Sequence, residues 1–452
     1  MDRDPLTFME IKSPPLTPSP TTLVRGIRKW DLVAVAINGI IGAGIFGLPA
    51  RVYALIGTYS LIAFVACAIV VTLIILCFAE VGSRFDETGG PYLYAREAFG
   101  PTVGFEVGWL SWLARLTAFA ANCNLMVSYL GFFWPGATAP LQRATIITVV
   151  VIALAAINFI GVRQAAIASD FFTIGKLIPL LVFIAAGLFF LKPHAFAFGP
   201  RPSTGAFSQS VLLLIFAFTG FEMAAIPAGE VRDPRRNLPR ALLIATAVVA
   251  TTYILVQVVC VGTLPALASS TKPLADAAQN FMGTAGAAII SAGAIISIAG
   301  NLNILVLSGS RLPFAFAEQK QLPELVARIH RRFLTPHVAI AITASAMLIF
   351  TLKTSFVAAL TISAIARLVT YGVTCAALPV LRRRSGMSPA MFRVRGGTVI
   401  AVAALVLAVW LLAHSTRTEA IQATIAAAVG FVIFLGYRLA VYNSSSRGTT
   451  SN

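Results

Sequence analysis

The segment Ala36-Ile-Asn-Gly-Ile-Ile-Gly-Ala-Gly-Ile-Phe-Gly-Leu-Pro49 carries no charged residue and holds four glycines, at positions 39, 42, 44 and 47. Glycine in a helix interior costs about 1 kcal/mol relative to alanine. These glycines therefore weaken one short part of an apolar helix, near its middle. Unwound backbone at membrane depth is tolerated only where it is buried in protein or lines a cavity. We predict a helix that is broken at Gly42-Ala43-Gly44, with a binding site at the break.

The composition of the whole chain is that of a membrane protein. Of its 452 residues 58% are apolar and 11% are charged, whereas a soluble domain carries roughly 25% charged residues. Nine apolar stretches, each close to the length of a membrane span, contain no Asp, Glu, Lys or Arg: 32–50, 52–79, 116–142, 144–162, 241–271, 277–310, 333–352, 396–416 and 420–437. The sequence therefore predicts an all-α integral membrane protein.

Hydropathy divides the chain into twelve predicted spans between two tails. The spans cover about 31–50, 55–80, 104–132, 144–162, 168–191, 208–229, 240–264, 285–312, 335–352, 356–381, 397–414 and 419–441. Residues 1–30 and 442–452 are predicted to be tails, and the first is rich in proline, serine and threonine, which is typical of disorder. The spans group into residues 31–191, residues 206–381 and a final pair at 397–441.

The distribution of basic residues predicts the orientation of these spans. The formal net charge of +17 would suggest nucleic acid in a soluble protein, but here the basic residues lie between apolar segments. With both termini in the cytoplasm, 24 of the 34 Lys and Arg residues fall on the inner side and 7 on the outer side. This bias follows the positive-inside rule. It predicts a plasma (inner) membrane protein with cytoplasmic termini and no nucleic-acid partner.

The glycines in the first span have two other interpretations. Gly42-x-Gly44-x-x-Gly47 matches a dinucleotide-binding fingerprint, but that motif requires a preceding strand. The apolar span offers no strand, so this interpretation is excluded. Small residues that let two helices pack closely remain an open alternative.

The sixth span repeats the pattern of the first. It reads Phe216-Ala-Phe-Thr-Gly-Phe-Glu-Met-Ala-Ala-Ile-Pro227, and Gly220 precedes Pro227 by seven positions, as Gly42 precedes Pro49. Two interrupted apolar segments at corresponding places in two halves of a chain indicate a transporter site at the interface of the halves. The span also contains Glu222. An acid at this depth is typical of a proton or ion pathway, and the alternative is a partner for a buried arginine.

At these residues the chain resembles the amino acid–polyamine–organocation family. The resemblance covers nearly all of the chain after the first tail. Five segments carry it: 39–46 (Gly-Ile-Ile-Gly-Ala-Gly-Ile-Phe), 89–92 (Gly-Gly-Pro-Tyr), 216–222 (Phe-Ala-Phe-Thr-Gly-Phe-Glu), 229–240 and 311–318. The resemblance implies the leucine-transporter-type fold. In that fold helices 1–5 and 6–10 form a five-plus-five inverted repeat, helices 1 and 6 are unwound at mid-membrane, and two C-terminal helices follow.

The family resemblance also implies secondary active transport by alternating access and a set of site residues. The substrate carboxylate would lie on the backbone of Gly42, Ala43 and Gly44, and the amino group would meet carbonyl groups near Ile40, Ile41, Phe216 and Phe218. Phe216 matches the aromatic residue that caps the substrate. Glu222 matches a position implicated in proton sensing. The complete predicted substrate site comprises Ile40, Ile41, Gly42, Ala43, Gly44, Phe216, Ala217, Phe218, Thr219 and Gly220.

Lys176 lies in the fifth span, in Thr173-Ile-Gly-Lys-Leu-Ile-Pro179. Several sodium-independent relatives in the family carry a lysine at the matching place, where its ammonium replaces a bound sodium ion. A buried ammonium there would bridge the unwound first helix and helix eight, and it would release a proton readily. The alternative is that Lys176 extends its side chain to the cytoplasmic surface.

Two arginines complete the predicted charges at membrane depth. Arg115 in helix three and Arg367 in helix ten lie near the centres of their spans, where a lipid-facing arginine is disfavoured. With Lys176 they give three cations against Glu222. This predicts an electropositive cavity that favours neutral amino acids, allows acidic ones, and disfavours arginine, lysine and polyamines. A packing network of arginine with glutamate or carbonyl groups is the alternative.

The sequence favours a transporter over other membrane proteins. The histidines lie in loops or at the ends of spans, and no clustered His or Asp indicates an enzyme, a metal site or a cofactor. A channel usually shows a repeated filter element, which is missing here. The predicted function is sodium-independent, proton-coupled symport or exchange of amino acids, with a cationic amino acid/polyamine antiporter as the alternative. The predicted partners are the amino acid and the lipid bilayer, and dimerisation through helices eleven and twelve is left open.

Overall fold

The structure is a computed structural model of the chain, and it is helical. It describes residues 27–86, 89–160, 176–226, 228, 231–384, 386, 388–415 and 417–448. Over these ranges the regular elements are α-helices and short 3₁₀ turns, and one isolated parallel bridge joins Ile27 to Val231. The predicted all-α class is confirmed for this part of the chain.

The α-helices have the following bounds. They are α1 Lys29–Ile40, α2 Ala43–Ile56, α3 Ser60–Gly82, α4 Pro91–Phe99, α5 Pro101–Leu130, α6 Pro140–Ile160, α7 Lys176–Phe190, α8 Thr204–Phe218, α9 Pro234–Thr263, α10 Pro273–Glu318, α11 His337–Lys353, α12 Phe356–Arg383, α13 Gly397–Ala413 and α14 Arg417–Gly448. Six helical segments of the described chain are long and apolar enough to cross a membrane: 43–82, 140–160, 204–224, 234–263, 273–318 and 356–383. The number of crossings stays a prediction.

The first and sixth predicted spans are each interrupted. Ile41 and Gly42 separate α1 from α2, and α2 continues to Ile56, six residues beyond the predicted end of the span. In the sixth span α8 ends at Phe218, and after Thr219 and Gly220 a 3₁₀ turn covers Phe221–Ala224. The sixth span was predicted to cover residues 208–229 with an interruption at Phe218-Thr219-Gly220, and its regular helix stops at Phe218. The cause is Gly220, whose positive φ of 109° is incompatible with a continuing right-handed helix.

Several helix bounds differ from the prediction. Helix α4 was missed, because hydropathy detects apolar stretches of span length and α4 is a nine-residue helix that carries Arg96 and Glu97. Helix α10 begins at Pro273, twelve residues before the predicted start, and bends at Gly283, where φ is 67°. The last helix runs to Gly448, beyond the predicted end at 441. Residues 168–175 of the fifth predicted span lie outside the described residues.

The two broken helices lie within the bundle, surrounded by longer unbroken ones. Helix α1 packs against α9, α2 packs against α8, and α10 and α12 both pack against α5. Every residue of α2 from Ala43 to Ala50 is buried, and so is every residue of α8 from Ser210 to Phe218. The breaks are therefore enclosed by protein, which is the condition for unwound backbone at this depth.

Candidate functional site

The two breaks lie directly against each other. A Cβ atom placed on Gly39 would come within 2.6 Å of the carbonyl oxygen of Gly220, and a Cβ atom on Gly220 would collide with the carbonyl oxygen of Gly39. At Gly44 a Cβ atom would lie 2.6 Å from Cα of Ala217. These glycines let the backbones of α1, α2 and α8 approach more closely than any side chain would permit. Close packing and helix interruption, stated above as alternatives, thus occur together.

A small cavity of about 20 Å³ lies between the breaks. This volume holds little more than one water molecule. Seven residues of the predicted substrate site line it: Ile40, Gly42, Ala43, Gly44, Phe216, Thr219 and Gly220. The other three lie behind the lining, where Ala217 packs on Gly44, the ring of Phe218 contacts Tyr253, and the carbonyl of Ile41 faces Lys176.

The amino end of α2 lies at this cavity, which Gly42, Ala43 and Gly44 line. The first N–H groups of a helix have no partner within the helix, and here they belong to residues that follow Gly42. The N–H of Ala43 donates to Oδ1 of Asn122 at 3.3 Å, and Nδ2 of Asn122 donates to Oδ1 of Asn301 at 2.7 Å. Both asparagines line the cavity. With the positive end of the helix dipole, this edge is suited to bind a carboxylate.

The carboxyl ends of α1 and α8 turn their carbonyl groups toward one tyrosine. The hydroxyl of Tyr253, on α9, lies 3.1 Å from the carbonyl oxygen of Ile40 and 3.2 Å from that of Ala217. The carbonyl of Phe216 accepts from Oγ1 of Thr219 at 2.7 Å. A carbonyl oxygen has two lone pairs, so the oxygens of Ile40 and Ala217 each retain room for one more donor, whereas that of Phe216 also accepts from the backbone N–H of Thr219 at 3.4 Å.

Replacing Tyr253 with phenylalanine removes the donor shared by the two broken helices. We expect Tyr253→Phe to lower the free energy of unfolding by roughly 1–3 kcal/mol, because a buried carbonyl loses its partner. Thermal unfolding in detergent measures the loss. The matched control is Tyr94→Phe, because Tyr94 is also fully buried but its hydroxyl has no hydrogen-bond partner in the described chain. Equal melting temperatures for the two variants would contradict the role of Tyr253.

Lys176 is fully buried, and its ammonium is bound to the end of α1. Nζ donates to the carbonyl oxygens of Asn38 and Ile41, at 3.1 and 3.0 Å, and to Oδ1 of Asn38. The side chain does not extend to the surface, which excludes that alternative. The expected bridge to helix eight is not present in this geometry, because an ammonium has three N–H donors and the three acceptors belong to Asn38 of α1 and to Ile41, directly after it.

Glu222 connects the second break to α12. Its carboxylate is paired with the guanidinium of Arg367, accepts from the hydroxyl of Tyr371 at 2.6 Å, and accepts from the backbone N–H of Gly220 at 2.9 Å. The side chains of Glu222 and Arg367 are 7% and 6% exposed. The contact that was stated as the alternative, a partner for a buried arginine, is therefore present.

The structure does not gather the three predicted cations in one cavity. Arg367 is the one charged residue among the described residues that line the small cavity, and Glu222 neutralises it. Lys176 lies behind Ile41, and Arg115 lines a different cavity. The predicted electropositive substrate cavity is therefore corrected to one whose charges balance. Sequence reasoning missed this because it could place the charges by depth but not by the direction they face.

Sequence reasoning also missed four polar residues around the breaks: Asn122, Asn301, Tyr253 and Tyr371. Each is buried and lies in an otherwise apolar span, on α5, α10, α9 and α12 respectively. A buried polar group in such a span needs a partner, and that was the available signal. The partners were not predictable, because every contact joins helices that are distant in the sequence.

Comparison with known proteins places the chain among transporters. The amino acid permease family matches residues 27–436, a range that contains both breaks and every residue that lines the cavity. The serine/threonine exchanger SteT of Bacillus subtilis (strain 168) is 33% identical over 328 residues, which cover 71% of this chain and 75% of the exchanger. Uncharacterised transporters of Mycobacterium bovis and Mycobacterium tuberculosis are each 30% identical over 333 residues, with 71% of this chain and 73% of each relative covered.

Proposed function

The chain belongs to the amino acid permease family, and from this premise we propose that it carries neutral amino acids by alternating access, without sodium. As a member of this family it is an integral membrane transporter of amino acids and not an enzyme. The observation that carries the finer proposal is the contact of two helix breaks around a small cavity. The amino end of α2 and the carboxyl ends of α1 and α8 line this cavity, and helix ends of opposite polarity are what a zwitterionic substrate requires.

The architecture that supports this function is the twelve-helix arrangement with an inverted repeat. The first repeat would span residues 31–191, the second 206–381, and residues 397–441 would form the two additional helices. The two breaks support this proposal because they fall in the first and sixth predicted spans. Both termini would face the cytoplasm and the protein would lie in the plasma membrane, in agreement with the distribution of basic residues.

The substrate would bind with its carboxylate at the amino end of α2. The free N–H groups that follow Gly42 would bind it, and Asn122 and Asn301 would orient that edge through their mutual hydrogen bond. The amino group would use the second lone pairs of the carbonyl groups at the ends of α1 and α8. Phe216 would cover the side chain, and the cavity would have to expand because about 20 Å³ is too small for an amino acid.

The balance of charge in the cavity favours a neutral substrate. Arg367 is neutralised by Glu222, so neither an acidic nor a basic side chain would find an unpaired counter-charge among the described lining residues. The exchanger of Bacillus subtilis is named for serine and threonine, which are neutral. Serine, threonine and alanine are therefore the first substrates to test. Acidic amino acids rank second, and cationic amino acids and polyamines rank last.

Purified protein in liposomes tests this order directly. We expect labelled serine, threonine or alanine to enter at least about tenfold faster than arginine, since a single uncompensated charge in a closed site costs more than the 1.4 kcal/mol that corresponds to a tenfold rate difference. Uptake is measured with and without a pH gradient and with internal amino acid, which separates symport from exchange. Preferential uptake of arginine or of a polyamine would refute the neutral assignment.

Lys176 supports transport without sodium, because its ammonium occupies the end of α1. We expect Lys176→Ala to reduce uptake at least about tenfold, because two buried carbonyl groups and an amide lose a charged donor. Initial uptake rates in sodium and in choline buffers measure this loss. Lys353→Ala, at the exposed end of α11, is the matched control. Wild-type uptake that requires sodium and persists unchanged in Lys176→Ala would show that the ammonium replaces no ion.

A further inference from the structure

A second, larger cavity of about 530 Å³ lies next to the substrate cavity, on the side where the predicted cytoplasmic loops lie. Its described lining contains three arginines, Arg96, Arg115 and Arg311, and no acidic residue. Of these, Arg96 is paired with Glu97, at 3.3 Å. Arg115 and Arg311 form no direct ion pair with a carboxylate within the described chain. The positive charge that the substrate cavity lacks is therefore present in the larger cavity.

The same three elements line both cavities. On each of them, a residue that lines one cavity is three positions from a residue that lines the other. On α5, Ala118 lines the substrate cavity and Arg115 lines the larger one. On α10, Leu305 lines the substrate cavity and Ser308 lines the larger one. After the second break, Met223 lines the substrate cavity and Ile226 lines the larger one. Three residues of a helix rise about 4.5 Å along its axis. The distance between the cavities is thus comparable to the length of one small amino acid.

Arg115 lies at this partition with a donor free. Its Nε donates to Oγ of Ser308 at 3.2 Å and its Nη1 to the carbonyl oxygen of Ser111 at 2.8 Å, so the guanidinium is fixed between α10 and α5. Nη2 has no hydrogen-bond partner in the described part of the chain, although the residue is 4% exposed. Arg311 donates from Nη1 to the carbonyl oxygen of Leu307 and to Oγ of Ser310, and its other nitrogens have no hydrogen-bond partner among the described residues.

We propose that Arg115 and Arg311 form a second binding station, which holds the carboxylate of the transported amino acid between the substrate cavity and the cytoplasm. A guanidinium is suited to a carboxylate because it offers parallel N–H donors. The station would accept any amino acid with a free carboxylate and repel polyamines and decarboxylated amines from the cytoplasmic side. This proposal rests on the proposed transport of amino acids and adds a site to it.

The test measures transport separately from each face of the membrane. Protein in liposomes of known orientation is loaded with labelled L-serine, and the half-saturating serine concentration is determined for each side. We expect Arg115→Gln and Arg311→Gln to raise the cytoplasmic value about tenfold, since a charge-assisted hydrogen bond is lost. The outer value should change less than twofold, which also shows that each variant is folded. Arg115→Lys keeps the charge but loses the parallel N–H donors of the guanidinium. Its cytoplasmic half-saturating serine concentration should lie between those of the wild type and Arg115→Gln.

The control is a variant of an exposed arginine outside this cavity. Arg331→Gln removes the same charge from an exposed position that does not line this cavity, and it should change neither value. Equal changes at both faces, or none at the cytoplasmic face, would overturn the station. Inhibition by internal phosphate that depends on Arg115, without any change in half-saturation, would also overturn it in favour of an inhibitory anion site. Failure of the wild type to transport any amino acid would instead refute the proposed function.

Discussion

Gly220→Ala is expected to abolish transport. The backbone of Gly220 has a φ of 109°, which a residue with a Cβ atom rarely adopts, and the new methyl group would collide with the carbonyl oxygen of Gly39. Strain at such a position costs of order 1–3 kcal/mol, and the collision adds to it because the opposing atom is backbone and has no rotamer to change. We expect α1 and the second break to separate, so that the cavity between them is lost.

Gly100→Ala introduces a similar backbone strain without the collision that Gly220→Ala causes, so it separates the two effects. Gly100, between α4 and α5, has a φ of 92°, and a Cβ atom there would meet nothing within 4 Å. Uptake of labelled serine and melting temperature are measured for both variants. Gly100→Ala should lose some stability and keep most of its transport, whereas Gly220→Ala should lose transport entirely. If both variants retained wild-type uptake, the close contact of the two breaks would be unnecessary for function.

Glu222→Gln is expected to be the most destabilising change that preserves side-chain size. It leaves the guanidinium of Arg367 buried without its counter-charge, and removing one partner of a buried pair costs about 3–5 kcal/mol. The double variant Glu222→Gln/Arg367→Gln should recover much of this loss, because no unpaired charge remains. Melting temperatures of the two single variants and the double variant give the coupling energy. Asp276→Asn is the control, because its pair with Lys272 is 3.9 Å apart and partly exposed.

The same variant decides between two roles for Glu222. Its contacts with Gly220, Arg367 and Tyr371 favour a structural connection between the second break and α12. The family resemblance predicts proton coupling. A Glu222→Gln protein that melts like the wild type but no longer responds to a pH gradient would establish coupling and exclude the structural role. Strong destabilisation that the double variant relieves would establish the structural role.

The sequence predicted the parts of this molecule that depend on local composition. The break at Gly42 follows from glycines in an apolar span, and the break at Gly220 follows from a repeated glycine–proline spacing. Both lie where the structure has them, to within two residues. The predicted span 208–229 gave no account of the 3₁₀ turn after Gly220, because hydropathy does not detect backbone conformation. Helix α4 was missed for a related reason, because a short and charged helix has no hydropathy signal.

The surroundings of the breaks could not be predicted in the same way. The pairing of Asn122 with Asn301 and that of Glu222 with Arg367 join residues separated by 179 and 145 positions. Each polar residue had several acceptable partners at the same depth, and only the packing of the helices selects one. The direction of Lys176 toward α1, and of Arg115 away from the substrate cavity, depends on helix rotation. A single sequence defines helix rotation weakly when a span is apolar on all sides.

The single proton of Tyr253 has a kinetic consequence. It faces two carbonyl oxygens, on α1 and α8, and can be donated fully to only one of them at any instant. When one broken helix moves during a transport cycle, the proton can remain with the other, and the count of bonds to α9 stays the same. Tyr253 can thus stay bonded to one broken helix while the other moves. We therefore expect Tyr253→Phe to slow turnover more than it weakens substrate affinity.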